Sequence, residues 1–266
     1  MAVRRLRIQR RSLRQLKRLA TSKGKAMKQT TIFTAICLTT LLALTANAGT
    51  PEDRCRKALH RETPSPYPTP AEWEAEKAAT KNAYMLCRSE SIPADLRAMS
   101  VHKWASILSQ RDAAAAEALY RQTIRKIEKD DGPNSPALLP LLNGLMDMVV
   151  HASGGPTGET FKIAHDIRRI AESAYGSESE PFAKALLALG WLHELNGNRA
   201  TAEALYREAV AAAAAACAPK CGTLVAAYSI LRDLIKADPA RSAEADDLDF
   251  RAVEAIPDDP NSQHQP

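Results

Sequence analysis

The sequence is poor in aromatic residues and has almost none of the alternating β-branched pattern that is typical of strands. Phe, Trp and Tyr together make up 5% of the 266 residues, although 45% of the residues are hydrophobic. Ala, Leu, Glu and Arg dominate instead, and these residues favour helix. The composition therefore speaks against a β-sandwich or barrel and predicts an all-α fold.

Acidic residues are missing from the first 28 residues, which hold eleven Lys and Arg. An uncharged apolar run follows and ends in the small residues Ala46-Asn47-Ala48. A basic region, an apolar run and a small-x-small ending are typical of a signal peptide. We predict that residues 1–48 are a basic leader and signal peptide, cleaved before Gly49. The protein is then exported, to the periplasm or outside the cell.

Other interpretations of this leader stay open on the sequence. The apolar run of about 18 residues is near the lower limit for spanning a bilayer, so it could be retained as a membrane anchor. Translation could begin at Met27, because residues 27–48 alone have the form of a compact signal peptide. The basic segment 1–20 could also form the amphipathic helix of a transit peptide or of a membrane-surface segment.

The positive charge of the chain belongs to the leader. The whole sequence has 36 basic and 31 acidic residues, and removal of residues 1–48 leaves 25 basic residues against 31 acidic ones, a net charge of −6. Nucleic-acid binding needs a basic face. We therefore expect no nucleic-acid partner, and membrane contact only through an uncleaved leader.

Four cysteines follow the leader: Cys55, Cys87, Cys217 and Cys221. An even number in an exported chain favours disulfides, and four cysteines allow three pairings. We favour Cys55–Cys87 and Cys217–Cys221, the second more strongly because the CAPKC loop keeps its ends close. The alternative is four small buried residues. Zinc is not expected, since neither spacing is C-x₂-C and no pair of histidines accompanies the cysteines.

Motifs of the common enzyme classes are also missing. The sequence has no H-E-x-x-H and no G-x-S-x-G, and the SGGPTG segment at 153–158 lacks the Lys that a phosphate-binding loop requires. His165 and its neighbour Asp166 point to different faces of a helix and are expected at the surface. His193 and Glu194 are expected to have structural or groove-lining roles. We expect no catalytic residues, no metal and no cofactor. An enzyme with an unrecognised site is kept as a lesser alternative.

Helical segments alternate with short breaks after Gly49. Prolines at alternate positions from 64 to 70 favour an extended connector, and the DGPNSP segment at 131–136 ends one helix and starts the next. We predict an N-terminal helical segment with a Pro-rich connector at 49–92, a repeat domain at 93–256 and a disordered tail at 257–266. The expected helices cover about 52–61, 71–89, 93–109, 112–128, 135–151, 159–175, 179–196, 199–216, 222–237 and 240–255.

One stretch occurs twice, as AEALYRQTI at 116–124 and as AEALYREAV at 202–210. The two copies are 86 residues apart, which is twice 43. A fixed spacing of this size is typical of stacked helical hairpins, in which each hairpin needs a neighbour to cover its apolar side. We assign four hairpins, at about 94–130, 135–175, 179–216 and 219–255.

The stretch 189–209 resembles a tetratricopeptide repeat, with matches at Leu189, Gly190, Gly197, Ala202, Tyr206 and Ala209. His193 departs from that pattern, which has Tyr there. The longer spacing and the loops KDDGPNSPAL and AYGSESEPFAKAL resemble the kinesin-light-chain type of this family. The resemblance covers about 94–255 and implies a right-handed superhelical array of helical hairpins. It also places the two EALYR copies on the second helices of the first and third hairpins.

The resemblance further implies that the first helix of each hairpin lines a concave face that binds peptides. Spacing carried over from Gly190 places Lys184, Leu187, Trp191, Glu194 and Leu195 on that face. The same spacing from Gly144 gives Leu138, Leu141, Leu145, Met148 and Val149. Trp191 is either a binding anchor or a packing contact with the next hairpin. The residues placed by spacing from Gly144 belong to the core if Gly144 is not the equivalent of Gly190.

The leading hypothesis is thus an exported helical-repeat protein that binds or scaffolds another protein through its concave face. The alternative from a retained leader is a membrane-tethered accessory factor in cell-envelope assembly.

Overall fold

Ten α-helices follow one another in the computed structural model, which describes residues 49–60 and 69–257. The predicted leader and signal peptide, most of the Pro-rich connector and the tail at 258–266 lie outside the described residues. The helices are α1 Pro51–Leu59, α2 Pro70–Cys87, α3 Ala94–Leu108, α4 Ala113–Asp131, α5 Leu139–Ser153, α6 Gly158–Tyr175, α7 Glu180–Leu195, α8 Arg199–Cys217, α9 Gly222–Lys236 and α10 Ser242–Glu254. Short 3₁₀ turns at Pro136–Leu138 and Pro239–Arg241 precede α5 and α10.

Local sequence signals set the starts of several helices. The Asp112 side chain accepts a hydrogen bond from Ala115 N at 2.9 Å at the start of α4, and Ser179 accepts one from Phe182 N at 3.3 Å at the start of α7. Such caps satisfy amide groups that have no partner within the helix. The observed bounds lie within a few residues of the predicted ones, and the all-α prediction is confirmed.

Neighbouring helices in the chain are also neighbours in space. Each helix packs against the next one in the chain, and α3 also meets α5 and α7 also meets α9. The hairpins are α3–α4, α5–α6, α7–α8 and α9–α10, preceded by α1 and α2. The two EALYR copies lie on α4 and α8, the second helices of the first and third hairpins, as predicted.

The third hairpin shows why the repeat has glycine at two positions. A Cβ atom at Gly190 would lie 2.4 Å from Cε1 of Tyr206, so only glycine lets α7 approach the ring on α8 this closely. Gly197 has a φ of 77° in the turn between the two helices, a conformation that side chains other than glycine rarely adopt. The ring of Tyr206 is 1% exposed, so it fills the space between the two helices.

The disulfides are those favoured from the sequence, Cys55–Cys87 and Cys217–Cys221. The first joins α1 to the end of α2, inside a buried cluster that also contains Leu59, Ile92 and Leu96. Because Leu96 belongs to α3, this cluster joins the N-terminal helices to the first hairpin. The second disulfide spans the turn from α8 to α9.

Charged side chains join α8 to the last hairpin. Glu203 on α8 accepts hydrogen bonds from Arg241, with Arg241 Nη2 at 2.7 Å from Glu203 Oε1, and Arg241 also pairs with Glu244 at 2.8 Å. Arg207 pairs with Glu203 at 2.9 Å and also with Glu244. The hydrogen bond from Arg241, together with Arg207, lowers the pKa of Glu203 to about 2. Glu203 is therefore ionised over the physiological pH range and holds two arginines in place.

None of the helices within 51–59 and 70–254 is both long enough and apolar enough to cross a bilayer. The apolar run at 30–48 lies outside the part of the chain that the structure describes, so the choice between a cleaved signal peptide and an anchor stays a prediction.

Candidate binding surface on the first helices

A groove runs between α7 and α9, the first helices of the third and fourth hairpins. It has a volume of about 350 Å³ and is lined by Glu180, Lys184, Leu187, Gly222, Thr223 and Ala226. The groove exists because α9 presents small residues where α7 presents longer ones. This groove forms the first-helix surface together with Trp191 and Glu194, which lie further along α7.

Two predicted residues, Lys184 and Leu187, lie together in this groove. Lys184 is exposed, and its Nζ lies 3.4 Å from Glu180 Oε2. Leu187 is half-buried and offers an apolar floor below this ion pair. An apolar floor with charged groups at its edge suits a side chain that is apolar along its length and polar at its tip.

Trp191 and Glu194 continue along α7 beyond the groove. Trp191 is half-buried and packs against the main core, so part of its ring is committed to structure. Glu194 is exposed and accepts a hydrogen bond from the Tyr206 hydroxyl at 2.8 Å. Burial and this carboxylate both raise the pKa of Tyr206. Glu194 thus has a fixed position, set by the aromatic residue of its own hairpin. Leu195, at the end of α7, is 48% exposed.

The residues predicted on α5 lie mostly in the core. Leu138, Leu141 and Leu145 are 1%, 0% and 4% exposed, so Leu145 is not available to a partner, and we remove it from the binding surface. Met148 and Val149 are half-buried and pack against the same core.

The predicted residues on α5 are buried because Gly144 and Gly190 do not occupy equivalent positions in their hairpins. Gly190 faces Tyr206 on the second helix of its own hairpin. Gly144 faces Tyr120 on α4, the second helix of the preceding hairpin, and a Cβ there would lie 2.3 Å from the Tyr120 hydroxyl oxygen. Spacing counted from Gly144 therefore describes a different face of its helix. Leu139, Asn143 and Asp147, four residues apart on α5, are among its less buried positions.

A polar cluster where α3, α4 and α5 meet was missed from the sequence. The Tyr120 hydroxyl lies 3.1 Å from His102 Nδ1 and donates to the His102 carbonyl oxygen at 3.3 Å. Burial lowers the pKa of His102, and the nearby Asp147 carboxylate opposes this. His102 is therefore neutral at physiological pH. The repeated Tyr in EALYR was the available signal, but the sequence does not show which helix its hydroxyl meets.

The two His-acid neighbours have packing and surface roles in the structure. The His193 ring lies 5.0 Å from that of Phe161 on α6, and burial together with nearby His165 lowers the pKa of His193. Asp166 pairs with Lys162 and Arg169 along its own helix, each at 3.0 Å. The structure therefore gives both pairs an account that needs no catalytic role.

Comparison with solved structures identifies the fold. The chain is similar to BtubC (BKLC) from P. vanneervenii, with a TM-score of 0.52 and 15% identity over 68% of this chain and 72% of that one. It is also similar to nearly identical TPR-like repeats from Podosopora anserina, named for a kinesin light chain, with a TM-score of 0.51 and 16% identity over 76% of this chain and 92% of that one. A point variant of the latter covers 76% and 91% of the two chains.

No protein-family model and no curated protein matches the sequence. At 15% and 16% identity, the structural likeness shows the fold. The chain has the fold of an array of tetratricopeptide-like helical hairpins, as the sequence predicted.

Proposed function

We propose that this chain is an exported scaffold that binds an extended or helical segment of another protein on its first-helix surface. The observation that carries the proposal is the groove between α7 and α9, which has an apolar floor at Leu187 and small residues opposite it. Arrays of this fold fit a role in protein–protein interaction, and the step from fold to role is an analogy. The groove identifies the residues of α7 and α9 on which such an interaction would take place.

The expected binding mode follows from the chemistry of the groove. An apolar partner side chain covers Leu187, and a charged group on the partner meets the Lys184–Glu180 pair. The exposed part of Trp191 adds a second apolar contact along α7. Aromatic residues at the centre of an interface often contribute a large share of the binding energy. Charges at the rim contribute more to orientation than to affinity.

Filling the groove tests this proposal. Ala226→Arg places a long side chain in the groove, at an exposed helical position where Arg is well tolerated. A partner recovered by cross-linking in the native cell envelope should bind this variant at least about 10-fold more weakly, equivalent to about 1.4 kcal/mol. Binding is measured by titration of the purified pair.

The matched control is Ala215→Arg, at an exposed alanine on α8 outside the groove. It should keep full affinity, and both variants should keep their helical circular dichroism. Equal affinity for Ala226→Arg and the unchanged protein would show that the partner binds elsewhere. Trp191→Ala should also weaken binding of the partner. Because Trp191 packs on the core, the melting temperature of this variant is measured as well, to separate lost binding from lost stability.

Export is the second part of the proposal. The sequence of the leader supports it, and two disulfides in the structure fit an oxidising compartment. The intact mass of the chain isolated from its native host should correspond to a start at Gly49. A mass that includes residues 30–48 would instead support the membrane-tethered alternative.

A further inference from the structure

Three potential metal ligands meet where α7, α8 and α9 come together. Glu180 opens α7, Cys217 ends α8 and Cys221 precedes α9. A carboxylate oxygen of Glu180 and the two sulfur atoms all lie within 4.8 Å of one another. No second group of three His, Cys, Asp or Glu residues comes this close within residues 49–60 and 69–257. In the oxidised chain the two sulfurs are joined and cannot act as thiolate ligands.

We propose that reduction of the Cys217–Cys221 disulfide creates a site for a thiophilic divalent cation such as Zn²⁺, held by both thiolates and by Glu180. The reductant is a dithiol or a phosphine. It supplies two electrons, the S–S bond breaks, and each sulfur takes up a proton. A dithiol becomes a disulfide, and a phosphine becomes its oxide with oxygen from water. The cation then displaces both protons when the thiolates bind it.

The geometry suits a tetrahedral ion. Zn–S bonds of about 2.3 Å place two thiolates about 3.8 Å apart, and a Zn–O bond is about 2.0–2.2 Å. Breaking the disulfide lets the two sulfurs separate, and the three-residue segment 218–220 between them spans the turn from α8 to α9. The Glu180 oxygen lies within 4.8 Å of both sulfurs, so a shift of about 1 Å or less reaches the O···S separation of about 3.6 Å that a shared tetrahedral ion requires. Three protein ligands leave the fourth position to water.

The surroundings also stabilise the thiolates and balance the charge. Cys221 is the N-cap of α9, and its sulfur accepts a hydrogen bond from Leu224 N at 3.4 Å. An amide hydrogen bond and the positive end of the helix dipole favour an anionic sulfur at this position. Lys184 lies 3.4 Å from Glu180. Two thiolates, one carboxylate and one ammonium carry a total charge of −2, which one divalent cation neutralises.

The test is a titration of the chain with Cd²⁺, a spectroscopic substitute for Zn²⁺, after reduction with a phosphine. In the Cys55→Ser/Cys87→Ser chain, where the reductant can release only Cys217 and Cys221, we expect a thiolate-to-cadmium absorption band that saturates at one ion per chain. The band should disappear when Cys217→Ser/Cys221→Ser is added to these changes. The same titration without reductant should give no band. The titration uses the chain that begins at Gly49, which does not contain Cys37.

Glu180→Gln separates a built site from two thiols that bind cadmium unaided, because it keeps both sulfurs. Mutation of a residue that hydrogen-bonds to a metal ligand typically lowers metal affinity about 10–100-fold. Loss of the Glu180 carboxylate, a ligand itself, should therefore lower the affinity at least about 10-fold. Unchanged affinity in Glu180→Gln, a band that survives replacement of all four cysteines of the two disulfides by serine, or a reduced chain that has lost its helical circular dichroism would each overturn the proposal.

Discussion

Replacement of Gly190 by valine is expected to lower the free energy of unfolding by about 3 kcal/mol. The first added carbon would lie 2.4 Å from Tyr206 Cε1 and 2.7 Å from Cδ1. Both atoms belong to a rigid ring that is 1% exposed, so the ring cannot swing aside as a flexible side chain would. Overpacking of this kind typically costs about 1–3 kcal/mol, and valine adds two further methyl groups. Urea denaturation followed by circular dichroism measures the loss.

Gly158→Val is the matched control for this prediction. Gly158 is the first residue of α6, and a Cβ atom there would meet no heavy atom within 4 Å. This variant should change stability by less than about 0.5 kcal/mol. Combining Gly190→Val with Tyr206→Ala removes the ring that causes the clash. The double variant should then lose less than the sum of the two single losses. Strict additivity would mean that the ring is not the source of the strain.

The fold could be predicted because its main determinants are local. Helix starts and stops, the apolar period and the 86-residue spacing of two similar segments are all present in the sequence itself. The small residues Gly190 and Ala202 on either side of a tight turn predicted a close pair of helices, and α7 and α8 form that pair. Of the three possible disulfide pairings, the sequence favoured one because the CAPKC loop keeps Cys217 close to Cys221, and the structure has that pairing.

The binding surface could be predicted only in part, because helical period alone does not identify the neighbour that each face meets. On α7, Lys184 and Leu187 do line a groove. On α5, the assumption that Gly144 corresponds to Gly190 failed, since Tyr120 reaches Gly144 from the preceding hairpin. That difference places Leu145 in the core. The partner residues in the groove, such as Ala226, carry no signal of their own in the sequence.

The same limit explains why the cluster of Glu180, Cys217 and Cys221 was not predicted. The spacing of the two cysteines in CAPKC suggested a disulfide and not a metal site. Glu180 lies far away along the chain, and only the stacking of α7 against α8 and α9 brings its carboxylate to the sulfurs. Ligand sets that are completed by a third helix require the tertiary structure.

Removal of the Cys55–Cys87 disulfide should release α1 from the rest of the array. The bond closes a loop with a sequence separation of 32 residues, and the loop-entropy relation gives about 4 kcal/mol for a loop of that size. α1 has nine residues, which is too short for a helix to be stable by itself in water. Leu59 also packs in the buried cluster with Ile92 and Leu96, and Lys103 Nζ donates to the Leu59 carbonyl oxygen at 2.8 Å. We expect these contacts to hold α1 much less firmly than they do together with the covalent bond.

Hydrogen exchange measures this release in the variant Cys55→Ala/Cys87→Ala. Amides of α1 should exchange up to roughly 1000-fold faster, the equivalent of about 4 kcal/mol, while amides of α7 and α8 should keep their protection. Cys217→Ala/Cys221→Ala is the matched control, because its loop has a separation of only four residues and the same relation gives about 2 kcal/mol. It should leave α1 protected. Unchanged exchange in α1 after loss of Cys55–Cys87 would show that Leu59 and its neighbours hold the helix without the covalent bond.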